Sequence, residues 1–170
     1  MSSIAHRYGR INFKDLQHKR SYSPNIVYGQ SKLANLLFAL ELQRRIDQAG
    51  INMLSIAAHP GIAATNLFNV GPEMSGKRSQ TLFNSWITRY LAQPENMGAL
   101  PVLYAATSPD VAGGGFYGPD LLGIKGYPTE ASASIAARNR DTANRLWTVS
   151  EQLTGITYPF SNKVTNLKLN

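Results

Sequence analysis

Tyr28 and Lys32 stand four residues apart in Tyr28-Gly29-Gln30-Ser31-Lys32. If this stretch is helical, the two side chains share a face, with Cβ atoms about 5–6 Å apart. A free phenol, with a pKa near ~10, is a poor acid or base at neutral pH. A neighbouring ammonium favours the phenolate. The pair can therefore exchange a proton with a substrate oxygen near neutrality. The plain alternative is a surface Tyr and Lys on an amphipathic helix, and the spacing alone does not separate the two. The chain contains no cysteine, so disulfides, thiolate metal sites and a Cys nucleophile are excluded. His6, His18 and His59 have no metal-binding spacing and read as surface or structural residues. Trp86 and Trp147 read as packing residues rather than cofactor stackers.

The elements that must carry this pair follow from hydrophobic period and punctuation. The segment 10–25 is polar and irregular, with Pro24 closing it as a turn. Leu33, Leu36, Leu37, Leu40 and Ile46 recur at helical spacing, which predicts a helix over 28–48. Glu41 and Arg45 form an i,i+4 pair on it, and Gly50 stops it. Ile51 to Ala58 is short and mostly apolar and reads as a buried parallel strand. It is broken by His59-Pro60-Gly61, and residues 62–78 read as a loop. Weak helix follows over 80–91. A further helix starts at Pro94-Glu95-Asn96 and runs to Ala106, with Pro101 expected to kink it or delay its start. The glycine-rich stretch 113–118 turns into a short strand. A last helix is expected from Ala131 to Leu153, with Ile135, Arg138, Thr142 and Leu146 along one face.

Alternating strands and helices argue for a parallel α/β sheet. The strands found are too few for such a sheet, which needs cover on both faces. The chain has 170 residues, 43% hydrophobic and 16% charged, with a net charge of +7. That composition suits a globular domain. No apolar run is long enough to span a bilayer, and the first residues lack a secretory signal. A cytoplasmic location is the default expectation. The basic residues are scattered rather than clustered, which argues against a nucleic-acid-binding face.

These segments, taken in order, resemble the short-chain dehydrogenase/reductase family. The features that carry the resemblance are Ser2-Ser3, the Tyr28-x-x-x-Lys32 helix, the apolar strand and Pro60-Gly61, with Thr65 four residues beyond the glycine. Ser3-Ile4-Ala5-His6-Arg7, Ser31-Lys32-Leu33-Ala34-Asn35-Leu36-Leu37-Phe38, His59-Pro60-Gly61 and Arg145-Leu146-Trp147-Thr148-Val149-Ser150 are similar to the retinol-dehydrogenase-like and WW-domain oxidoreductase-like members. The resemblance implies a partial domain over 1–170, the C-terminal part of a Rossmann-type doubly wound parallel sheet. It also implies reversible hydride transfer between NAD or NADP and an alcohol or carbonyl. In that reading Tyr28 exchanges the proton. Lys32 lowers its pKa and binds the nicotinamide ribose, and Ser3 polarises the carbonyl. Pro60, Gly61, Ala63 and Thr65 join Tyr28 and Lys32 in binding the cofactor.

A substrate lid after Thr65, with Leu67, Phe68, Phe83 and Trp86 as apolar walls, points to a lipophilic small molecule. Self-association into a homo-oligomer is compatible with this organisation. The family's glycine-rich phosphate loop, its active-site Asn and its ribose-reading residue find no match. Gly113-Gly114-Gly115 precedes a strand rather than a helix. The N-terminal cofactor-binding half is therefore expected to be missing, and a truncated non-catalytic fragment is the alternative. A basic nucleic-acid-binding module is a weaker one.

Overall fold

The computed structural model describes residues 1–62 and 92–160. Among these, a 3-10 turn at Ile4–Arg7 precedes α1 (Pro24–Gln48), β1 (Ala57–Ala58), α2 (Glu95–Thr107), β2 (Phe116–Leu121) and β3 (Lys125–Glu130). A second 3-10 turn at Ala136–Arg138 leads into α3 (Arg140–Thr154). The chain divides into two compact units. One comprises Met1–Ile4, Ala58–Val111 and Phe116–Ser132, and the other Ala5–Ala57, Ala112–Gly115 and Ala133–Asn170.

α1 starts a full turn earlier than the hydrophobic period predicts. Pro24 opens it rather than closing a turn: a first-turn residue has no intrahelical N–H bond to lose, and the proline ring presets φ. Leu33, Leu36, Leu37 and Ile46 are buried. The Glu41 carboxylate accepts from Arg45 Nε at 2.8 Å and from Arg44 Nε at 2.9 Å. The helix ends at Ala49, and Gly50 follows at φ +63°, as expected of a C′ glycine. α3 packs on α1 within the same unit through Ala143, Leu146 and Trp147. The Trp147 indole stacks on Phe38, with centroids 5.4 Å apart, and Arg45 lies over its ring at 4.4 Å. Trp147 is thus a packing residue.

α3 begins at Arg140, well after the expected Ala131. Asn139 caps it, its side chain accepting from the Thr142 N–H at 2.8 Å, and the preceding residues form the 3-10 turn. Ile135 is 92% exposed, so the expected face through Ile135 is corrected to Ala143, Leu146 and Trp147.

The three-stranded sheet has the order β1-β2-β3. The Ala57 and His59 N–H groups bond the Gly115 and Tyr117 carbonyls in step, so β1 and β2 are parallel. β3 runs antiparallel to β2, with Tyr117 opposite Glu130 and Leu121 opposite Lys125. The sheet is therefore mixed, not purely parallel. The hairpin turn places Leu122 at φ 56° and Gly123 at φ 72°, the two positive values a type I′ turn requires. The Ile124 N–H closes it on the Leu121 carbonyl at 2.9 Å. β3 went unexpected because Lys125-Gly126-Tyr127-Pro128 carries two poor strand formers, which sheets tolerate on an edge.

Two further expectations change. Only Ala57–Ala58 of the segment Ile51–Ala58 forms strand, and Ile51, Met53 and Leu54 are exposed. The Ile51 and Met53 N–H groups bond locally, to the Ile46 and Ile51 carbonyls, and the Ser55 N–H bonds the Gln43 side chain. Apolar composition does not make a strand without a partner to pair with. α2 begins at Glu95 behind Pro94 and continues through buried Pro101. The proline sits in the second turn, where it removes a single ladder bond. The expected loop over 62–78 and helix over 80–91 lie, beyond Ile62, outside the described residues.

Candidate active site

Tyr28 sits on the second turn of α1 and is 36% exposed. Lys32 follows one turn later, its Nζ 5.3 Å from the centre of the Tyr28 ring, within cation–π range. The opposite face of the same turn is buried and holds α1 in place. Gln30 accepts the Asn12 N–H at 2.9 Å and donates to the Leu16 carbonyl at 2.9 Å, which pins the polar segment ahead of the helix. A Cβ on Gly29 would press into the Tyr8 ring, 2.8 Å from Cδ2, and one on Gly9 would strike the Gly29 carbonyl. The two glycines let the chain of residues 5–9 lie against α1 next to Tyr28. Partial desolvation, and then the neighbouring Tyr28, raise the pKa of the largely exposed Tyr8 phenol. Tyr8, Gly29 and Gln30 thus shape the surroundings of Tyr28, and only a long-range contact reveals them.

Ser3, Pro60 and Gly61 belong to the other unit. Ser2 and Ser3 are buried, and the Ser2 N–H bonds the Ala58 carbonyl at the end of β1 at 2.8 Å. Gly61 adopts φ +69°, and a Cβ there would strike the Ile124 carbonyl, so both backbone angle and space demand glycine. The turn is held on several sides. Gly61 N–H donates to His59 Nδ1 at 3.2 Å, Gln93 Nε2 donates to the Pro60 carbonyl at 2.9 Å, and the Gln93 N–H donates to the Ile62 carbonyl at 2.8 Å. Gln93 was invisible in the sequence: a glutamine before Pro94-Glu95 carries no motif. The structure thus brings Tyr28 and Lys32 together in one unit and Ser3, Pro60 and Gly61 into the other. Ala63, Thr65, Leu67, Phe68, Phe83 and Trp86 lie outside the described residues.

His6 and His59 are buried. The Ser134 N–H bonds His6 Nε2 at 3.1 Å. Among the described residues, no group of three or more His, Cys, Asp or Glu side chains could hold a metal, and no helix is long and apolar enough to cross a membrane.

A nicotinamide dinucleotide can be tested against these residues. In one unit the Lys32 ammonium beside Tyr28 is a donor suited to a ribose hydroxyl, and in the other the Gly61 turn presents backbone with no Cβ. The phosphate end is different. Gly113-Gly114-Gly115 runs into β2 rather than a helix N-terminus, and a Cβ on Gly113 would meet the Gln43 carboxamide. Those glycines accommodate α1 and are not a phosphate cradle.

No family model matches the chain. It is 36% identical over 163 residues to retinol dehydrogenase 14 of Mus musculus, covering 92% of this chain and 43% of that protein. It is 35% identical to the polyprenol dehydrogenase of Mus musculus, over 91% of this chain and 43% of that one. With retinol dehydrogenase 12 of Homo sapiens the identity is 34%, over 92% and 45%. The chain thus spans less than half the length of these curated relatives. A crystal structure of an uncharacterized protein from Mycobacterium paratuberculosis superposes with a TM-score of 0.71 at 40% identity, over 93% of this chain and 50% of that one. The fold is accordingly a partial Rossmann-type α/β fold.

Proposed function

We propose that this chain, a relative of the retinol-dehydrogenase-like short-chain dehydrogenases/reductases over 92% of its length, forms the proton-transfer side of an NAD- or NADP-dependent oxidoreductase. The reaction interconverts an alcohol and a carbonyl on a lipophilic small molecule. The observation that carries the reading is the exposed Tyr28 with Lys32 Nζ 5.3 Å from its ring, in a chain whose curated relatives are retinol and polyprenol dehydrogenases.

The dinucleotide, when bound, supplies or accepts the hydride. Tyr28 gives its proton to the carbonyl oxygen in reduction and takes it back in oxidation. Lys32 sets a positive charge beside that phenol and offers three N–H donors to a ribose hydroxyl. Ser3 donates to the substrate oxygen. Pro60 and Gly61 would hold the nicotinamide end of the dinucleotide through their backbone, the role the resemblance also gives to Ala63 and Thr65. A lipophilic substrate follows from the relatives and from the apolar residues Leu67, Phe68, Phe83 and Trp86.

The test is a polypeptide in which a glycine-rich phosphate-binding portion of a relative precedes this chain. Loss of NADH or NADPH absorbance with a long-chain or retinoid aldehyde is the expected result. The absence of dinucleotide-dependent turnover on any alcohol or aldehyde would leave the alternative, a chain with no catalytic part. The Gly113–Gly115 packing, which excludes a phosphate cradle there, is the observation that favours that alternative.

A further inference from the structure

The Pro60–Gly61–Ile62 turn is fixed by two buried side chains, Gln93 and His59, to which the resemblance gives no role. Gln93, 33 residues along the chain from Pro60, bonds through its backbone N–H and through both ends of its side-chain amide. Its Nε2 donates to the Pro60 carbonyl at 2.9 Å, its backbone N–H donates to the Ile62 carbonyl at 2.8 Å, and its Oε1 accepts the Gly126 N–H of β3 at 2.9 Å. The Gly126 bond fixes which way the amide faces, since a flipped amide would set oxygen against the Pro60 carbonyl. His59 supplies the remaining hold. Its Nδ1 accepts the Gly61 N–H at 3.2 Å, which requires the neutral ring with its proton on Nε2. The imidazole is 2% exposed and tilts against Phe116 with centroids 5.1 Å apart. It lies over Gly118, where a Cβ would strike the ring. The Ile62 N–H in turn bonds the Ile124 carbonyl at 2.8 Å. A turn built only to change direction does not need two buried polar side chains. Each of them carries a desolvation cost that only its hydrogen bonds offset.

We infer that Gln93 and His59 are positioning residues for the dinucleotide: acting through the backbone of Pro60, Gly61 and Ile62, they hold the turn in the one shape that can lie against the nicotinamide. This rests on the reading above that the turn faces the cofactor. Neither side chain touches the reacting atoms, and their effect is on binding rather than on the proton-transfer step.

The variants that test this change the hydrogen bonds that Gln93 and His59 make to the turn. Gln93→Glu can still accept from Gly126 but cannot donate to Pro60 when ionised. His59→Phe keeps a ring and loses the acceptor. His59→Asn restores one, because an Asn side chain accepts from the N–H two residues on. Amide exchange is followed by NMR in the 170-residue chain, and steady-state kinetics in the extended polypeptide described above.

Gln93→Glu and His59→Phe should speed exchange at Gly61 and Ile62 about tenfold, the order set by one lost hydrogen bond and one orphaned partner. Exchange along α1 should stay unchanged. Both variants should raise the KM for NADH or NADPH by a similar factor at nearly constant kcat, and His59→Asn should recover most of it. Unchanged exchange at Gly61 and Ile62 would overturn the inference whatever the activity. Faster exchange with an unchanged KM for the dinucleotide would overturn it too, leaving the turn purely structural. An unsubstituted extended polypeptide that binds neither dinucleotide would overturn the functional reading and the cofactor role together.

Discussion

At the scale of single residues, the proposed chemistry rests on a pair whose separation is set by the helix that carries it. Tyr28 and Lys32 are one helical turn apart, so any helix through 28–32 brings them together. That is why they were legible in the sequence and why they stand 5.3 Å apart, ring centre to Nζ. Lys32→Met should weaken dinucleotide binding about tenfold or more in the extended polypeptide, because a charged donor is lost and a hydrogen bond to a charged group is worth ~1.5–3 kcal/mol. Calorimetric titration reads this directly, and unchanged affinity would return Lys32 to the plain surface-helix role. The part played by Gln93 was not legible, because it carries no motif and acts on Pro60, 33 residues away; Gly29, Gln30 and His59 stand inside quoted motifs, but their contacts with Tyr8, Asn12 and the Gly61 N–H show only in the fold. Gly29 gives a second test. Alanine in a helix is ordinarily preferred to glycine by ~1 kcal/mol, but here its Cβ meets the Tyr8 ring. Gly29→Ala should gain little stability by itself and up to that amount once Tyr8→Ala has removed the obstacle. Additive effects in denaturant melts would show that Tyr8 does not press on α1.

At the scale of elements, what composition could not supply was pairing. Ile51 to Leu54 looks like strand from its apolar residues but has only local backbone bonds, whereas β3 contains Gly126 and Pro128 and is strand because β2 lies beside it. Helix starts were displaced at Pro24, which takes the first helical position of α1, and at Asn139, whose side chain caps α3. Asn139→Ala should cost ~1 kcal/mol, the usual worth of an N-cap side chain, read as a lower denaturant midpoint at an unchanged slope. Gly118→Ala should be worse, ~1–3 kcal/mol as for overpacked cores, because the added methyl displaces buried His59.

The loop ahead of α1 responds to pH. Partial desolvation opposes ionisation of Asp15, but the N–H groups of Arg20, Lys19 and Ser21, with His18 nearby, outweigh it and hold the carboxyl below its ordinary value. A lowered folded value means that the stabilisation is present above the ordinary carboxylate pKa of ~3.9. It is lost as pH falls through the lowered one. The Lys19 and Arg20 amide resonances should move together over that acid range, and Asp15→Asn should abolish the movement.

At the scale of the whole molecule, the chain matches 43% of retinol dehydrogenase 14 of Mus musculus and carries a net charge of +7. It exposes Ile51, Met53 and Leu54 beside a short parallel strand. Clustered exposed apolar side chains of that kind invite association with another chain. The 170-residue chain by itself should therefore self-associate as concentration rises, seen as growing mass in light scattering, and should show no NADH binding. The central claim is that Tyr28 is the group that exchanges the proton, and one substitution tests it most directly. In the extended polypeptide, Tyr28→Phe keeps the ring on α1 and removes only the hydroxyl. Turnover should fall at least about a hundredfold, the usual scale of a general acid–base contribution, with dinucleotide affinity little changed. A Tyr28→Phe enzyme that keeps more than about a tenth of the unsubstituted turnover, well outside that scale, would contradict the account.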